Sequence, residues 1–275
     1  MDAKHLPSDM QQWLTAVRRQ LRFYVRTWRF VGLLAFVGVV TIAGTAISIA
    51  YDSAGGSAAD YLYNTLNGLP TFGIIIGAFI GGDAIAMDFG SGTGYYMLVL
   101  PVRRAVLLLG RYAAAFLVSV ALLLVLYAGA LFGAGWFYGI PALPGFEVAE
   151  SMGLAALFAL ATLSTAFFFS SFFRSPAVSM VLTILILFLA FDIVDGVLTS
   201  TSVEPWFSLP YAGGVIALVF ESQPHLTTTV TPGMRHLTLH SWNPYIWEGA
   251  AIMAGYFVAF LLLSLVIYEY KESKG

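Results

Sequence analysis

The 275-residue sequence contains no cysteine and only three lysines, Lys4, Lys271 and Lys274. Without cysteine the chain can form neither a disulfide nor a thiolate metal site. It also has no Gly-x-x-x-x-Gly-Lys-Ser/Thr sequence, so it cannot form an ordinary Walker A site for ATP. Charged residues make up 10% of the chain and hydrophobic residues 59%. This composition leaves little material for a separate soluble domain, and we predict a single transmembrane domain over residues 1–275.

Six apolar stretches are each long enough, at about 20 residues per crossing, to span a hydrocarbon core of roughly 30 Å. They cover about residues 30–50, 69–86, 105–127, 152–173, 177–198 and 250–268. We therefore predict an all-α, multi-pass protein of the cell membrane with six transmembrane helices. A long polar segment precedes the first stretch, so we expect that stretch to be retained rather than removed as part of a signal peptide.

The basic residues predict the orientation of these crossings. Of the 13 lysine and arginine residues, all except Arg235 fall on one side of a six-span arrangement. The positive-inside rule makes that side cytoplasmic, which puts both termini inside. The residues concerned are Lys4, Arg18, Arg19, Arg22, Arg26, Arg29, Arg103, Arg104, Arg111, Arg174, Lys271 and Lys274.

Residues 8–29 carry the pattern of an amphipathic helix that precedes the first span. Apolar residues recur at helical spacing, and basic residues occupy the other side. Ser8 and Gln11 have the spacing of a capping box. We expect this helix to lie on the inner membrane surface with its cations toward anionic headgroups, and the alternative is a specific regulatory or partner-binding role.

Gly73, Gly77 and Gly81 recur at intervals of four in the second apolar stretch, so they share one helix face. Such a face lets a second helix approach closely. The pattern does not say whether that helix belongs to the same chain or to a second copy, and we take an intramolecular contact as the simpler expectation.

Residues 199–249 form a long outer loop in this topology. Within it, residues 209–220 are apolar but too few to cross, so we predict a short re-entrant or interfacial segment before span six. His225, His236 and His240 lie in the same loop. Four-residue spacing of two histidines is a weak metal signal, and we expect an ordinary exposed loop without a metal site.

The cytoplasmic loop 87–104 joins spans two and three. It begins with a polar, glycine-rich run and continues as the apolar segment 95–100, which ends at Pro101. An exposed apolar patch usually marks a contact surface, so either the membrane or another protein should cover this one. Its glycines also suit a plain flexible turn, whereas a phosphate-binding loop is excluded because the required lysine is missing.

The same loop resembles that of type-2 exporter ABC transporter permeases. The similarity is carried by Gly90-Ser91-Gly92-Thr93, the hydrophobic run through Leu98 and Leu100, Pro101-Val102-Arg103, and Gly110-Arg111. Arg111 stands where lysine is common, and a single Asp88 replaces the usual acidic cluster, but neither change alters the charge sign. The order of elements along the whole chain is similar as well.

This resemblance implies a membrane-spanning permease subunit that exports its substrate and has no catalytic residue of its own. The loop would be a coupling helix, and its ATPase-contact residues would be Asp88, Phe89, Gly90, Gly92, Thr93, Tyr95, Tyr96, Pro101 and Arg103. Two ABC ATPase subunits would carry ATP and Mg²⁺, while this chain binds no cofactor. A second copy of this chain or a similar permease would complete the complex, with the lipid bilayer as its surroundings and no nucleic acid as a partner.

Two other classes of function remain as alternatives. An ion-driven carrier or channel would use an intramembrane carboxylate, for which Asp83 and Asp192 are candidates. Asp83 lies near the inner end of span two, so we expect it to be a solvated or arginine-paired interfacial residue. Asp192 and Asp195 lie near the outer end of span five, where solvent or a cationic substrate would account for them. A membrane enzyme is the weakest alternative, because no catalytic constellation is evident. The substrate is left open.

Overall fold

A computed structural model describes residues 8–52, 55–87, 104–173, 175–201, 203–221, 224–231 and 237–273. The described chain is almost wholly helical, which confirms that part of the fold-class prediction. Its helices are α1 (Asp9–Arg26), α2 (Trp28–Ala50), α3 (Ala58–Leu66), α4 (Leu69–Gly81), α5 (Arg104–Tyr138), α6 (Gly145–Phe172), α7 (Pro176–Ile184), α8 (Phe191–Thr201), α9 (Leu209–Gly213), α10 (Val215–Leu218) and α11 (Ile246–Ser273). A 3₁₀ turn, Ile140–Ala142, precedes α6, and a π-helical segment, Leu185–Ala190, joins α7 to α8.

Helix α1 begins at the capping box that the sequence predicts. The Gln11 N–H donates to Ser8 Oγ at 3.4 Å, and the Ser8 N–H donates to Gln11 Oε1 at 3.2 Å. The helix ends at Thr27, whose extended backbone interrupts the helical hydrogen bonds before α2 starts. One residue therefore separates the amphipathic helix from the first long apolar helix.

Five apolar helical segments in the described residues are long enough to cross a membrane, which supports a multi-pass membrane protein. They are Phe30–Ala50, Ala105–Tyr138, Gly145–Phe172, Pro176–Leu198 and Ile246–Tyr270. The predicted stretch 69–86 differs, because α4 has only 13 residues where a crossing needs about 20. The second and third of these segments, Ala105–Tyr138 and Gly145–Phe172, also extend beyond the predicted 105–127 and 152–173. The count of six crossings therefore remains a prediction.

Helix α4 is largely buried and packs closely on α6. A Cβ atom built on Gly73 would lie 2.8 Å from the Phe158 ring, and one on Gly77 would lie 2.8 Å from Thr162 Oγ1. A Cβ on Gly81 would lie 2.7 Å from the Cβ of Ala166. The three glycines thus face three residues that are also spaced by four, and this contact lies within one chain.

The other helices surround this pair. Helix α5 packs against α1, α2 and α3, while α6 also packs against α7 and α11. Phe158 and Phe167 of α6 are completely buried. Since α6 contacts both α4 and α11, the apolar core is centred on this helix.

The segment before α11 is more ordered than the sequence suggests. Helices α9 and α10 are buried, and Leu209, Val215 and Ile216 have no exposed surface. They pack against α11 and α6, and a re-entrant or interfacial position for this segment stays a prediction. Strands β1 (Leu226–Thr231) and β2 (Leu237–Trp242) form an antiparallel pair that was not predicted, in which Leu226 pairs with Trp242.

Candidate functional site

The nine residues expected to contact an ATPase lie outside the described residues, as do all positions from 88 to 103. The structure does describe both ends of this segment. The chain leaves α4 through the turn 82–87 and returns at Arg104, where α5 begins. We call these two ends and the side chains that hold them the loop base.

Two buried side chains hold the turn 82–87. The Ser170 Oγ accepts hydrogen bonds from the N–H groups of Ile85 at 3.1 Å and Ala86 at 2.9 Å. The Arg111 guanidinium donates to the Ala84 carbonyl at 3.0 Å. The end of a helix leaves backbone N–H and C=O groups without partners inside that helix. A hydroxyl oxygen has two lone pairs and can therefore accept from two N–H groups at once. One serine and one arginine therefore satisfy three backbone groups and tie the turn to α6 and α5.

A third buried group, Tyr24, ties the last turn of α4, just before residues 82–87, to α1. Its hydroxyl donates to the Ile80 carbonyl at 3.1 Å, and both Asp83 and Arg111 act electrostatically on it. Burial raises the pKa of Tyr24 well above its usual range, and the negative charge of Asp83 raises this pKa further. The hydroxyl therefore stays protonated and remains a donor.

Asp83 and Arg111 bring opposite charges into this buried cluster. They are 5% and 8% exposed, so the expectation that Asp83 is solvated is wrong, whereas the presence of an arginine beside the same tyrosine agrees with the arginine-paired form. Buried charges are costly unless compensated. Removing either charge should therefore affect the loop base as a whole.

The start of α5 also contacts α1 directly. A Cβ atom on Gly110 would lie 2.7 Å from the Cβ of Ala16, so the glycine permits the two helices to meet. On α1, Val17 and Tyr24 are buried, whereas Leu14 is 61% exposed. Part of the apolar stripe of α1 thus packs on protein, and the remainder stays available for lipid.

Two residues after Gly110 in α5, Tyr112 connects the loop base to the core. Its hydroxyl lies 2.6 Å from the Leu160 carbonyl, to which it donates, and 2.9 Å from Ser164 Oγ. Its ring contacts Phe167 edge-on at 5.2 Å and stacks with Phe257 of α11 at 6.0 Å between centroids. A displacement of the start of α5 would therefore reach both α6 and α11.

Sequence reasoning missed most of the side chains of the loop base. Arg111 was noted as part of a motif and as one of the cytoplasmic basic residues, and Ser170 and Tyr24 were not singled out for this role. Ser170 gives no signal beyond a hydroxyl residue near the end of an apolar stretch. Its partners are 84 and 85 positions away in the chain, so only the packing of α4 on α6 brings them together.

Of the outer candidates, the structure describes the contacts of His225 and Asp195. The His225 Nε2 lies 3.5 Å from Glu204 Oε2, and its ring stacks on Tyr245 with centroids 4.5 Å apart. His236 lies outside the described residues. In the part of the chain that the structure describes, no group of three His, Cys, Asp or Glu residues could hold a metal ion. Asp195 accepts a hydrogen bond from Ser208 at 2.7 Å.

The loop base is therefore a rigidly packed connection between helices. It joins four helices, α1, α4, α5 and α6, through buried hydrogen bonds and close contacts at the two points where the chain enters and leaves residues 88–103. Packed interiors transmit displacement because they resist compression. The arrangement is suited to passing a movement of the loop to the membrane helices.

Comparison with known proteins identifies the family of the chain. A search of curated proteins finds no match to the chain. A family model described as ABC-2 family transporter protein matches residues 26–190, more than half of the chain. The matched region runs from the end of α1 to the π-helical segment and includes the loop together with Ser170 and Arg111 of its base. The chain is therefore a multi-pass membrane protein that belongs to the ABC-2 transporter family and is an ABC-2 type permease.

Proposed function

We propose that this chain is the membrane-spanning subunit of an ATP-driven exporter. Two copies of the chain, or one copy and a similar permease, would assemble with two ATPase subunits that bind ATP and Mg²⁺. Membership of the ABC-2 family supports an association with ABC ATPases. The direction of transport comes from the resemblance of the loop to exporter permeases.

The observation that carries the proposal is the hydrogen bonding at the loop base. Ser170 and Arg111 hold the turn that leads into residues 88–103, and Tyr112 anchors the helix that follows them. An ATPase that binds residues 88–103 would pull on both ends of the segment at once. Because these ends are tied to α1 and α6, the helices would move together rather than the loop alone.

The physical mechanism would be alternating access. ATP binding would bring the two ATPase subunits together and shift the loops that they contact, which would reorient the attached helices. A shift of this kind requires the ATPase to make different contacts in the two states. Tyr95 and Tyr96 would make these contacts, since they begin the apolar part of the loop.

The orientation follows the distribution of charge. The basic residues of α1 and the predicted loop would lie on the cytoplasmic side with both termini, where an ATPase has access to ATP. Helix α1 would lie along the inner membrane surface, with Val17 and Tyr24 against the protein and its exposed apolar residues toward lipid.

Co-purification tests the ATPase contact. The chain is isolated in mild detergent, and the proteins that accompany it are identified by mass spectrometry and assayed for ATP hydrolysis. We expect an ABC ATPase with the unaltered chain and its loss after Tyr95→Ala with Tyr96→Ala. The matched control is Phe132→Ala with Trp136→Ala, which removes two exposed aromatic rings from the far end of α5.

Equal recovery of the ATPase with the loop variant and the control would contradict the proposed contact. If no ATPase accompanies the unaltered chain, an ion-driven carrier becomes the better explanation. That alternative predicts transport that persists without ATP and stops after Asp83→Asn, because a carrier depends on an intramembrane carboxylate.

A further inference from the structure

A cavity of about 350 Å³ lies between α2, α3, α4 and α5, on the side of the helices away from the loop base. Its volume falls within the range of roughly 300–1,000 Å³ that is typical of small-molecule sites. At about 30 Å³ for each water-sized group, it has room for about a dozen non-hydrogen atoms.

The walls of the cavity differ in chemistry. Leu69 and Phe72 of α4 and Leu126 of α5 form an apolar side. The facing wall comes from the second half of α2, where Thr41, Thr45 and Ser48 line the cavity. These three residues share one face because they are four and three positions apart. A molecule inside the cavity would therefore contact hydrocarbon on one side and a row of hydroxyl groups on the other.

The hydroxyl hydrogens of this row are already used within the protein. Thr41 donates to the Val37 carbonyl at 2.8 Å, and Ser48 donates to the Gly44 carbonyl at 3.0 Å. Thr45 donates across to the Gly129 carbonyl of α5 at 3.3 Å. A hydroxyl has one hydrogen and two lone pairs, so each oxygen keeps accepting capacity but has no hydrogen left to give. The α2 wall therefore prefers a ligand that donates hydrogen bonds.

The absence of charge in the described lining indicates that the ligand is neutral. None of the described residues that line the cavity carries a charge, and an ion without a counter-charge is costly to bury. Asn64 and Thr65, also in the lining, are exposed and able to donate or accept. An anionic headgroup would find no cation in this lining, whereas a neutral hydroxyl group would find acceptors along α2.

We propose that this cavity is a binding site for a neutral, single-chain amphiphile that carries a hydroxyl group. Its alkyl chain contacts Leu69, Phe72 and Leu126, and its hydroxyl hydrogen is donated to the oxygen of Thr41, Thr45 or Ser48. The site lies within one chain and is separate from the loop base, so it does not depend on the proposed ATPase partner.

Gly44 offers a way to close the cavity without disturbing the fold. It lines the cavity, and a Cβ atom built on it would meet nothing within 4 Å. Gly44→Leu would therefore place a side chain in the empty space. Gly38, in the same helix, also has nothing within 4 Å but does not line the cavity, which makes Gly38→Leu the matched control.

The test uses the purified full-length chain in lipid nanodiscs and a ten-carbon primary alcohol with a photoreactive diazirine in the chain. Labelled residues are located by mass spectrometry. Decan-1-ol and its isomer 1-methoxynonane then compete at equal mole fraction in the membrane. The isomers have the same size, but only the alcohol can donate a hydrogen bond.

We expect labelling of cavity residues to saturate and to be lost in Gly44→Leu but retained in Gly38→Leu. One net hydrogen bond corresponds to about a two- to tenfold preference for the alcohol over the ether. The double variant Thr45→Val with Ser48→Ala keeps the cavity but removes two acceptors, so the ratio of competition by the alcohol to competition by the ether should fall toward one. Equal competition by the two isomers, or labelling that survives Gly44→Leu, would overturn the proposal.

Discussion

Replacing Ser170 by alanine should loosen the loop base while leaving the helices in place. The Ser170 side chain has no exposed surface, and its oxygen accepts from the N–H groups of Ile85 and Ala86. A buried donor without a partner costs about 1–3 kcal/mol. The free energy of opening each of these two amides should fall by about that amount.

Hydrogen exchange measures this loss directly. A change of about 1–3 kcal/mol corresponds to a ~5- to 150-fold faster exchange of the two amides, while amides in the middle of α6 should exchange at their original rates. If the proposed function is correct, the variant should also couple ATP hydrolysis to transport less well, because the loop then moves without α6.

The matched control is Ser264→Ala in α11. Ser264 is equally buried, but it donates only to the Leu261 carbonyl of its own helix at 2.8 Å. Its replacement should leave the amides of Ile85 and Ala86 unchanged. Unaltered exchange at these amides in Ser170→Ala would refute the view that this hydroxyl holds the turn.

Three further outcomes follow from the structure. Gly77→Leu should lower the stability of the detergent-solubilised protein by about 1–3 kcal/mol through overpacking against Thr162, whereas Gly153→Leu, where a Cβ meets nothing within 4 Å, should leave the unfolding midpoint nearly unchanged. Burial raises the pKa of Tyr24 above its ordinary value of 10.0, so the contribution of the Tyr24 hydroxyl to stability is present below pH 10.0 and is lost as pH rises above it. Tyr24→Phe should therefore reduce the loss of stability at alkaline pH that urea titrations measure. An unchanged loss of stability at alkaline pH would argue against a buried hydroxyl. Replacing Arg18 and Arg22 by glutamine should weaken the binding of anionic lipid by about 1 kcal/mol per charge, so less of it should co-purify, as quantified by lipid mass spectrometry. Recovery equal to that of the unaltered chain would mean that α1 does not contact these headgroups.

Local features of α1 and α2 could be predicted from the sequence alone. The capping box of Ser8 and Gln11 and the long apolar run of α2 depend on residues that are neighbours in the chain, so the sequence contains all the information required. Gly73, Gly77 and Gly81 likewise predicted a closely packed face. The pattern could not identify α6 as the partner, because the residues that meet the glycines lie more than 80 positions away.

Asp83 shows what local reasoning leaves open. Its place near the end of an apolar stretch allowed either solvation or pairing with an arginine, because distance along a single helix was the only measure of depth. The structure buries Asp83 in a cluster with Tyr24 and Arg111, which excludes the solvated form. The sequence likewise did not predict that segment 209–220 packs against α6 and α11, because that contact depends on helices distant in sequence.

The sequence by itself determined the class of protein. Apolar length predicts membrane helices, and the family model matches residues 26–190 from their sequence. Only the tertiary structure decided what the loop is attached to and where a ligand has room. Ser170, Arg111 and Tyr24 act together because helix packing brings distant side chains to one turn, and the α2 hydroxyls face a cavity because α3, α4 and α5 leave space there. Such contacts follow from the mutual arrangement of several helices, which the periodicity of any one helix does not specify.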